Sequence, residues 1–431
     1  MTLLTIIIPS YNRSALLDKT LGTLTHQSTQ DFRVIVVDHG STDDAKAIVE
    51  RYQQALSIAY YWIPRGDHFA PGIPRDFGVK QADTPFIAFL DTGMIVSSSY
   101  VAAHIEFQQS HKHQLGMGCV YAASSLNDLY RFIIDLRISS LLSKLDSVDE
   151  VGAILAKDQQ LHDPRIKVNL EEMSFPWVLG WTTNLSMPIE AYQSAGGFNL
   201  ELKGWGFEDL DLSYRLYKQG FTFAFVENGW GIELPQPREP GLKRLETNLQ
   251  NARLCYEKQR TLALESLLYG ELFEPRESEM IFHYLAMLGR NYTTLPSVSS
   301  LADYRFSHPS LLIGGTRQEA GLCDYVALAD EDVASSDAIW SCSGVISPLA
   351  DQSLATVVVS DVWKWLGLKV DRNGKTLLGY LASEIKRTAQ EAFFIDSSSI
   401  LASPGSSHLS VIELANTCHK YDLSFQIIPG V

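Results

Sequence analysis

The chain has 431 residues, 45% of them hydrophobic and 20% charged. This is globular composition at a length too great for one ordinary core, so two or three domains are expected. The formal net charge of −15 excludes a general nucleic-acid binder, which needs a basic footprint, and leaves any anionic ligand dependent on a local Arg, backbone N–H groups or a metal.

The opening segment, Met1 to Pro9, is apolar and short and has no basic flank. It reads as a core strand over residues 3–8, stopped by Pro9, and not as a signal peptide. Residues 14–26 carry helical periodicity through Leu16, Leu17, Leu21 and Leu24. A continuous apolar strand over 33–38 follows, of the kind buried on both faces, then a helix over 42–54 with Thr42 and Asp43 as cap candidates. A strand over 58–62, a short helix over 74–82 and a strand over 86–90 complete a β-α-β-α-β-α-β series. That order predicts an α/β domain, a mostly parallel sheet covered by helices. Ligands of such sheets bind beyond the carboxyl ends of the strands. The polar residues gather there: Ser10, Tyr11 and Asn12 after Pro9; Asp38, Gly40 and Ser41; Asp91 and Thr92.

Residues 123–172 are mainly helical and charged and read as an insertion bridging two halves of a site. Pro235, Pro237 and Pro240 form a breaker cluster that ends a first domain over 1–240. Residues 241–294 read as a helical connector. Strand patterns then return in Ser310–Gly315, Asp324–Asp330, Ala355–Asp361 and Ala392–Asp396, with helices near 375–390 and 408–420. A second, smaller α/β domain over 295–431 is expected. The five cysteines are scattered, with no CxxC pair, and read as buried free thiols in a reducing cytoplasm. No apolar run approaches the length of a membrane span.

Asp91 closes the apolar run Phe86–Leu90. A carboxylate at a strand end suits a divalent cation bridging a diphosphate, though Asp-Thr-Gly is also good turn chemistry. Glu208 and Asp209 open an amphipathic helix with Leu210, Leu212, Tyr214, Leu216 and Tyr217. Acids are favoured at a helix start by the dipole and by capping, and equally suit a general base for an acceptor hydroxyl or thiol. Gly204-Trp205-Gly206 precedes them. Two glycines around a tryptophan are poor core material, and an indole offers a face for a sugar to stack on. Arg75 suits a phosphate or a site carboxylate. Trp181, Thr182 and Asn184 end a strand, either lining the acceptor side or making a plain edge turn. Glu233 is either a surface acid or a further metal ligand.

Taken in order, Pro9-Ser-Tyr-Asn-Arg13, Val37-Asp-His-Gly-Ser41, Arg75, Phe89-Leu-Asp91 and Gly204-Trp-Gly-Phe-Glu-Asp209 resemble the family 2 glycosyltransferases of GT-A fold, over about residues 1–240. The resemblance implies a nucleotide-sugar donor, often a UDP-sugar, with Asp38 at the base, Asp91 at the diphosphate and Arg75 in support. It makes Asp209 the base of an inverting displacement, because retaining relatives often replace the second acid of the pair. Three positions depart from the family pattern. Gly93 stands where a second metal-binding Asp is usual, His39 where Asp-Asp-Gly-Ser has its second Asp, and Glu233 or Gln236 where a His ligand is common. A weakened Mn²⁺ or Mg²⁺ site on Asp91 and Glu233 is implied. The missing membrane span favours a soluble acceptor: a peptide, a natural product or a glycan. The competing reading is a non-catalytic nucleotide-sugar-binding or scaffolding protein. More faintly, Leu311-Leu-Ile-Gly-Gly315 and Val357 to Leu366 resemble the strands of a class I methyltransferase, with the cofactor loop reduced to Gly314-Gly315-Thr316-Arg317. This points to a degenerate Rossmann-like module for an acceptor or partner, not to methyl transfer.

Overall fold

The computed structural model describes residues 2–66, 69–122, 128–144, 147–158, 161–236, 241–269, 275–292, 304–315, 322–329, 335–371, 373–397 and 409–430. Pro237 and Pro240, the tail Thr316-Arg317 and Asp330 lie outside the described residues. The chain divides into two units, Met1–Asn251 and Ala252–Val431.

In the first unit the opening series appears as β1 (Leu4–Ser10), α1 (Ser14–Leu24), β2 (Phe32–His39), α2 (Ala45–Tyr52), β3 (Ile58–Ile63), α3 (Gly72–Lys80) and β4 (Phe86–Leu90). It continues through β5 (Met94–Val96), α4 (Tyr100–Ser110), β6 (Gln114–Tyr121), α5 (Asp128–Leu142), α6 (Val148–Leu155), β7 (Asn184–Pro188), α7 (Ile189–Ser194), α8 (Glu208–Lys218) and β8 (Thr222–Glu233). Helix α9 (Gly241–Gln259) runs from the first unit into the second. Among the described residues the sheet order is β3-β2-β1-β4-β7-β6-β8-β5. The pairs among β1 to β4 are parallel, whereas β7 runs antiparallel to β4 and β6, and β5 antiparallel to β8. This is the α/β architecture that the GT-A resemblance implies.

The apolar runs explain the parallel half. Ile6, Ile7 and Ile8 of β1, Val34 to Val37 of β2 and Ile87 to Leu90 of β4 are all fully buried, each side chain larger than alanine contributing about 1.5–3 kcal/mol. Two expectations shift. Strand β1 does not stop at Pro9 but runs on to Ser10. Its neighbour β4 pairs only as far as Ile7, so the proline falls where one flank is no longer laddered. Trp181 to Thr183 do not end a strand; they lead into β7, which starts at Asn184. Helix α2 starts at Ala45, with Asp43 Oδ1 accepting from the Ala45 N–H at 3.4 Å, while Thr42 and Asp43 also bind the neighbouring loop. Asn12 Oδ1 accepts from the Thr42 N–H at 2.8 Å, and Asp43 Oδ2 accepts from the Ser14 N–H at 2.7 Å.

The second unit holds α10 (Leu262–Ser266), α11 (Pro275–Tyr292), β9 (Ser310–Ile313), β10 (Tyr325–Ala327), β11 (Ile339–Trp340), β12 (Leu354–Val359), α12 (Leu377–Thr388), β13 (Ala389–Ser397), α13 (Val411–Lys420) and β14 (Gln426–Gly430). Its strands pair in parallel in the order β11-β10-β9-β12-β13-β14. This is the doubly wound Rossmann order, reversing between its first and fourth strands. Strands β11 and β14 carry too little apolar alternation to be read from sequence. The cysteines are free thiols, four of them buried and Cys119 half-buried.

Candidate active site

The loops after β1 and β2 are laced together. Asn12 takes the left-handed conformation, with φ of 48°, and donates its N–H to Ser41 Oγ at 2.8 Å. Gly40 is also left-handed, at φ 82°, and a Cβ there would lie 2.8 Å from Arg65 Cβ. The Arg65 guanidinium sits 3.5 Å over the Tyr11 ring and 4.3 Å over Phe69. Asp38 is buried, and its carboxylate accepts from the Tyr60 hydroxyl at 2.6 Å and the Ser41 N–H at 2.8 Å. It therefore shapes its own loop. Burial, with the Arg65 charge adding, lowers the His39 pKa and keeps the ring neutral at pH 7. His39 Nδ1 and Ser10 Oγ are buried without hydrogen-bond partners.

The acids meet through one arginine. Arg75 Nη2 donates to Asp91 Oδ1 at 2.7 Å, and Nη1 of the same guanidinium donates to Glu208 Oε1 at 3.2 Å. Arg75 reaches the strand ends because Gly78, one turn later on α3, lets the helix settle on β1; a Cβ at 78 would fall 2.5 Å from Ile7 Cγ2. Burial works against the Arg75 charge, but Asp91 and Glu208 more than offset it. Asp91 Oδ2 accepts from Thr183 Oγ1 at 3.2 Å. Thr183 escaped the sequence reading although its neighbours were chosen, since a lone hydroxyl gives no signal of period or charge. Thr92 donates its hydroxyl to Pro9 O at 2.7 Å and so ties the β4 turn to the end of β1.

Just before α8, Gly204, Gly206 and Phe207 all have positive φ, at 72°, 97° and 69°. Phe207 alone carries a side-chain penalty there, on the order of 1–2 kcal/mol. Its side chain is buried. No side-chain bond caps α8 at Phe207, although Asp209 Oδ1 accepts the Leu210 N–H at 2.9 Å. Glu208 is buried, with Oε2 unpartnered; Asp209 is half-buried. Burial pushes Glu208 up to about 7, with the Asp209 charge adding and Arg75 opposing. Burial raises Asp209 as well, again against Arg75.

The other candidates divide. The Trp181 ring lies 4.5 Å from the Arg165 guanidinium, and its Nε1 donates to Val178 O at 3.1 Å. Arg165 is buried with Asp163, so the segment between α6 and β7 supports this wall. Thr182 is buried. Asn184 is fully buried and its amide is satisfied inside the sheet, by Gly229 O at 2.8 Å and His104 Nε2 at 3.1 Å. Glu233 stands opposite Met94, and the Leu234 N–H donates to Gly93 O at 2.9 Å. The Glu233 carboxylate meets Arg131 Nη1 at 3.4 Å and accepts from Gln236 Nε2 at 3.1 Å. Among the described residues no three His, Cys, Asp or Glu side chains form a group that could hold a metal ion.

Comparison with known proteins identifies relatives of the chain. The model of glycosyl transferase family 2 matches residues 5–159, and that of the N-terminal domain of galactosyltransferase matches residues 168–236. Validoxylamine A glucosyltransferase of Streptomyces hygroscopicus subsp. jinggangensis is 30% identical over 394 residues, which cover 83% of this chain and 90% of that protein. Chondroitin synthase of Pasteurella multocida is 28% identical over 255 residues, 57% of this chain and 26% of the synthase. The crystal structure of Staphylococcus aureus TarS 1–349 in complex with UDP-GlcNAc aligns with a TM-score of 0.44 at 17% identity, covering 68% of this chain and 73% of that one.

Proposed function

The chain belongs to glycosyltransferase family 2 and is a glycosyltransferase, and we propose that it transfers a sugar with inversion from a nucleotide-sugar donor, Asp209 serving as the base. The observation that carries this reading is the Arg75 guanidinium bonded at once to Asp91 and Glu208. It gathers the strand-end carboxylate and the acid pair around one cation. In the step proposed, the acceptor oxygen bonds to the anomeric carbon while its proton passes to Asp209. The bond from that carbon to the nucleoside diphosphate breaks, its electron pair leaving on the phosphate oxygen. One displacement inverts the configuration. Arg75 supplies positive charge beside Asp91, on the side given to the leaving group, and Glu208 holds Arg75. Asp209 suits the base role better than Glu208 because it is the more exposed residue of the two, whereas Glu208 is engaged by Arg75.

A base with a raised pKa must lose its proton before it can work, so activity should fall as pH drops through that pKa. With Glu208 near 7 and Asp209 raised beside it, the pair should give an acid limb in kcat well above the ordinary carboxylate range of about 4. A pH profile of sugar transfer reads this directly. A limb at the ordinary carboxylate value would remove the buried pair from the reaction.

For the donor we propose a UDP-sugar, and glucose as the sugar. The relative named for glucosyl transfer to validoxylamine A runs along most of both chains, while the polysaccharide synthase matches about a quarter of its own length. Of the acceptors left open by the sequence, this favours a natural product over a growing glycan or a peptide.

The donor set bears on the metal. Asp91 offers a carboxylate whose side chain is 32% exposed, Gly93 offers none, and Glu233 is engaged by Arg131 and Gln236. Magnesium-like ions are held by one or two carboxylates together with substrate phosphates. These residues fit an Mn²⁺ or Mg²⁺ ion that arrives with the diphosphate and rests on Asp91; they do not fit a resident ion. Such an ion would supply charge neutralisation for the leaving group. Calorimetric titration of Mn²⁺ should show no saturable binding to the protein alone and clear binding once UDP is present. Saturable binding without nucleotide would require ligands other than these.

A further inference from the structure

Helix α9 begins in the segment that reads from sequence as a connector, yet one face of its first turns is engaged with the loop before α8. Thr247 Oγ1 donates to Trp205 O at 2.9 Å. Asn251, one turn on, donates from Nδ2 to Gly206 O at 2.8 Å and to Lys203 O at 2.9 Å, and its Oδ1 accepts from the Lys203 N–H at 3.2 Å. Between them Asn248 is fully buried against Gly206: a Cβ at 206 would lie 2.5 Å from its Oδ1. A turn earlier, the Arg244 guanidinium lies 5.1 Å over the Trp205 ring. Positions 244, 247, 248 and 251 recur at spacings of three and four, so they occupy one helix face. All four meet the segment Lys203–Gly206.

The contacts of Thr247 and Asn251 are polar and directed at backbone, whereas Arg244 meets the indole and the Asn248 amide is buried without a hydrogen-bond partner. A loop holding two glycines has little intrinsic preference for one conformation, because glycine spreads over both halves of the φ range. Hydrogen bonds add only about 0.5–1.5 kcal/mol each, but they fix direction in a way apolar burial does not. The same segment leads directly into Glu208 and Asp209.

We propose that Thr247 and Asn251 are positioning residues for the transfer reaction. They hold the carbonyls of Lys203, Trp205 and Gly206 so that the tryptophan and the acid pair keep reactive geometry. The inference rests on the roles proposed above for Trp205 and Asp209, and its test separates the two. With UDP-glucose and validoxylamine A as substrates, Thr247→Val and Asn251→Ala should each lower kcat by about 10- to 100-fold, the usual cost of a small misplacement. Donor KM should stay near wild type, and Thr247→Ser, which keeps the hydroxyl, should recover kcat to within about threefold. Hydrogen exchange gives a readout that needs no substrate. The amides of Lys203, which donates to Asn251 Oδ1, and of Gly204, which donates to Phe69 O, should exchange at least about tenfold faster in Asn251→Ala while those of α8 stay protected. Unchanged loop exchange, or a Thr247→Ser enzyme as slow as Thr247→Val, would overturn the positioning role. If Asp209→Asn turns over normally while Asn251→Ala is slow with a loosened loop, the base assignment fails and the positioning role stands.

Discussion

Asp209→Asn should lower kcat for sugar transfer by about 10³-fold, in the middle of the range lost when a positioned base is removed, and leave UDP affinity within a few-fold of wild type. The amide keeps the size and the half-buried setting of the side chain, but it cannot take a proton from the acceptor. The substitution also removes a negative charge that helps raise the Glu208 pKa, so Glu208 ionises more readily and its pairing with Arg75 tightens. Donor binding, which this reading assigns to the other side of Arg75, should survive. Calorimetric titration of UDP alongside steady-state kinetics separates the two effects. Turnover at the wild-type rate would take Asp209 out of the base role, and parallel loss of UDP binding would show that the substitution had collapsed the Arg75 centre.

Arg75→Met should destabilise the protein by about 3–5 kcal/mol near pH 8, the usual cost of deleting one partner of a buried ion pair. Arg75 is 6% exposed, and it neutralises Glu208, which is itself buried, and Asp91. Without it Glu208 keeps its burial and its repulsion from Asp209 but loses the Arg75 charge that opposes them. The pH dependence follows from the sign. A carboxyl whose pKa is raised in the folded state favours folding while protonated and loses that contribution as pH rises through its folded pKa. The gap between variant and wild type should therefore narrow at pH 5 and widen above 7, and the acid limb of any residual activity should move to higher pH. Denaturant unfolding at both pH values measures it. Equal destabilisation at pH 5 and pH 8 would mean that Arg75 acts through packing and not through its charge.

Much of this site was legible in the sequence. Short apolar runs at 6–8, 34–37 and 86–90, rich in β-branched and aromatic residues, read as strands buried on both faces, and in a β-α series the residues that follow such strands fall together at one edge. Asp91 was visible for that reason, Arg75 as a cation suited to a carboxylate or phosphate, and the Glu208-Asp209 pair as acids opening an amphipathic helix behind two glycines and a tryptophan. Partners recruited across the fold were not visible. Thr183, 92 residues from Asp91, and Thr247 and Asn251, more than forty from the loop they hold, are ordinary polar residues with no local pattern to mark them. Asn184 looked like a site residue and proved to be buried in the sheet, since a polar residue in a lead-in turn and one inside a strand read alike.

Local chemistry alone thus determined the element order of the first 90 residues and the choice of acids. Both rest on hydrophobic period and turn residues, which act over a few positions. Three things waited for the tertiary structure: that one arginine serves both Asp91 and Glu208, that Asp38 and Glu233 are engaged by their own chain, and that α9 braces the tryptophan loop. Each depends on which oxygen or nitrogen stands within about 3 Å of another, the reach of a hydrogen bond. That distance is set by how helices and strands pack, and no spacing along the chain encodes it.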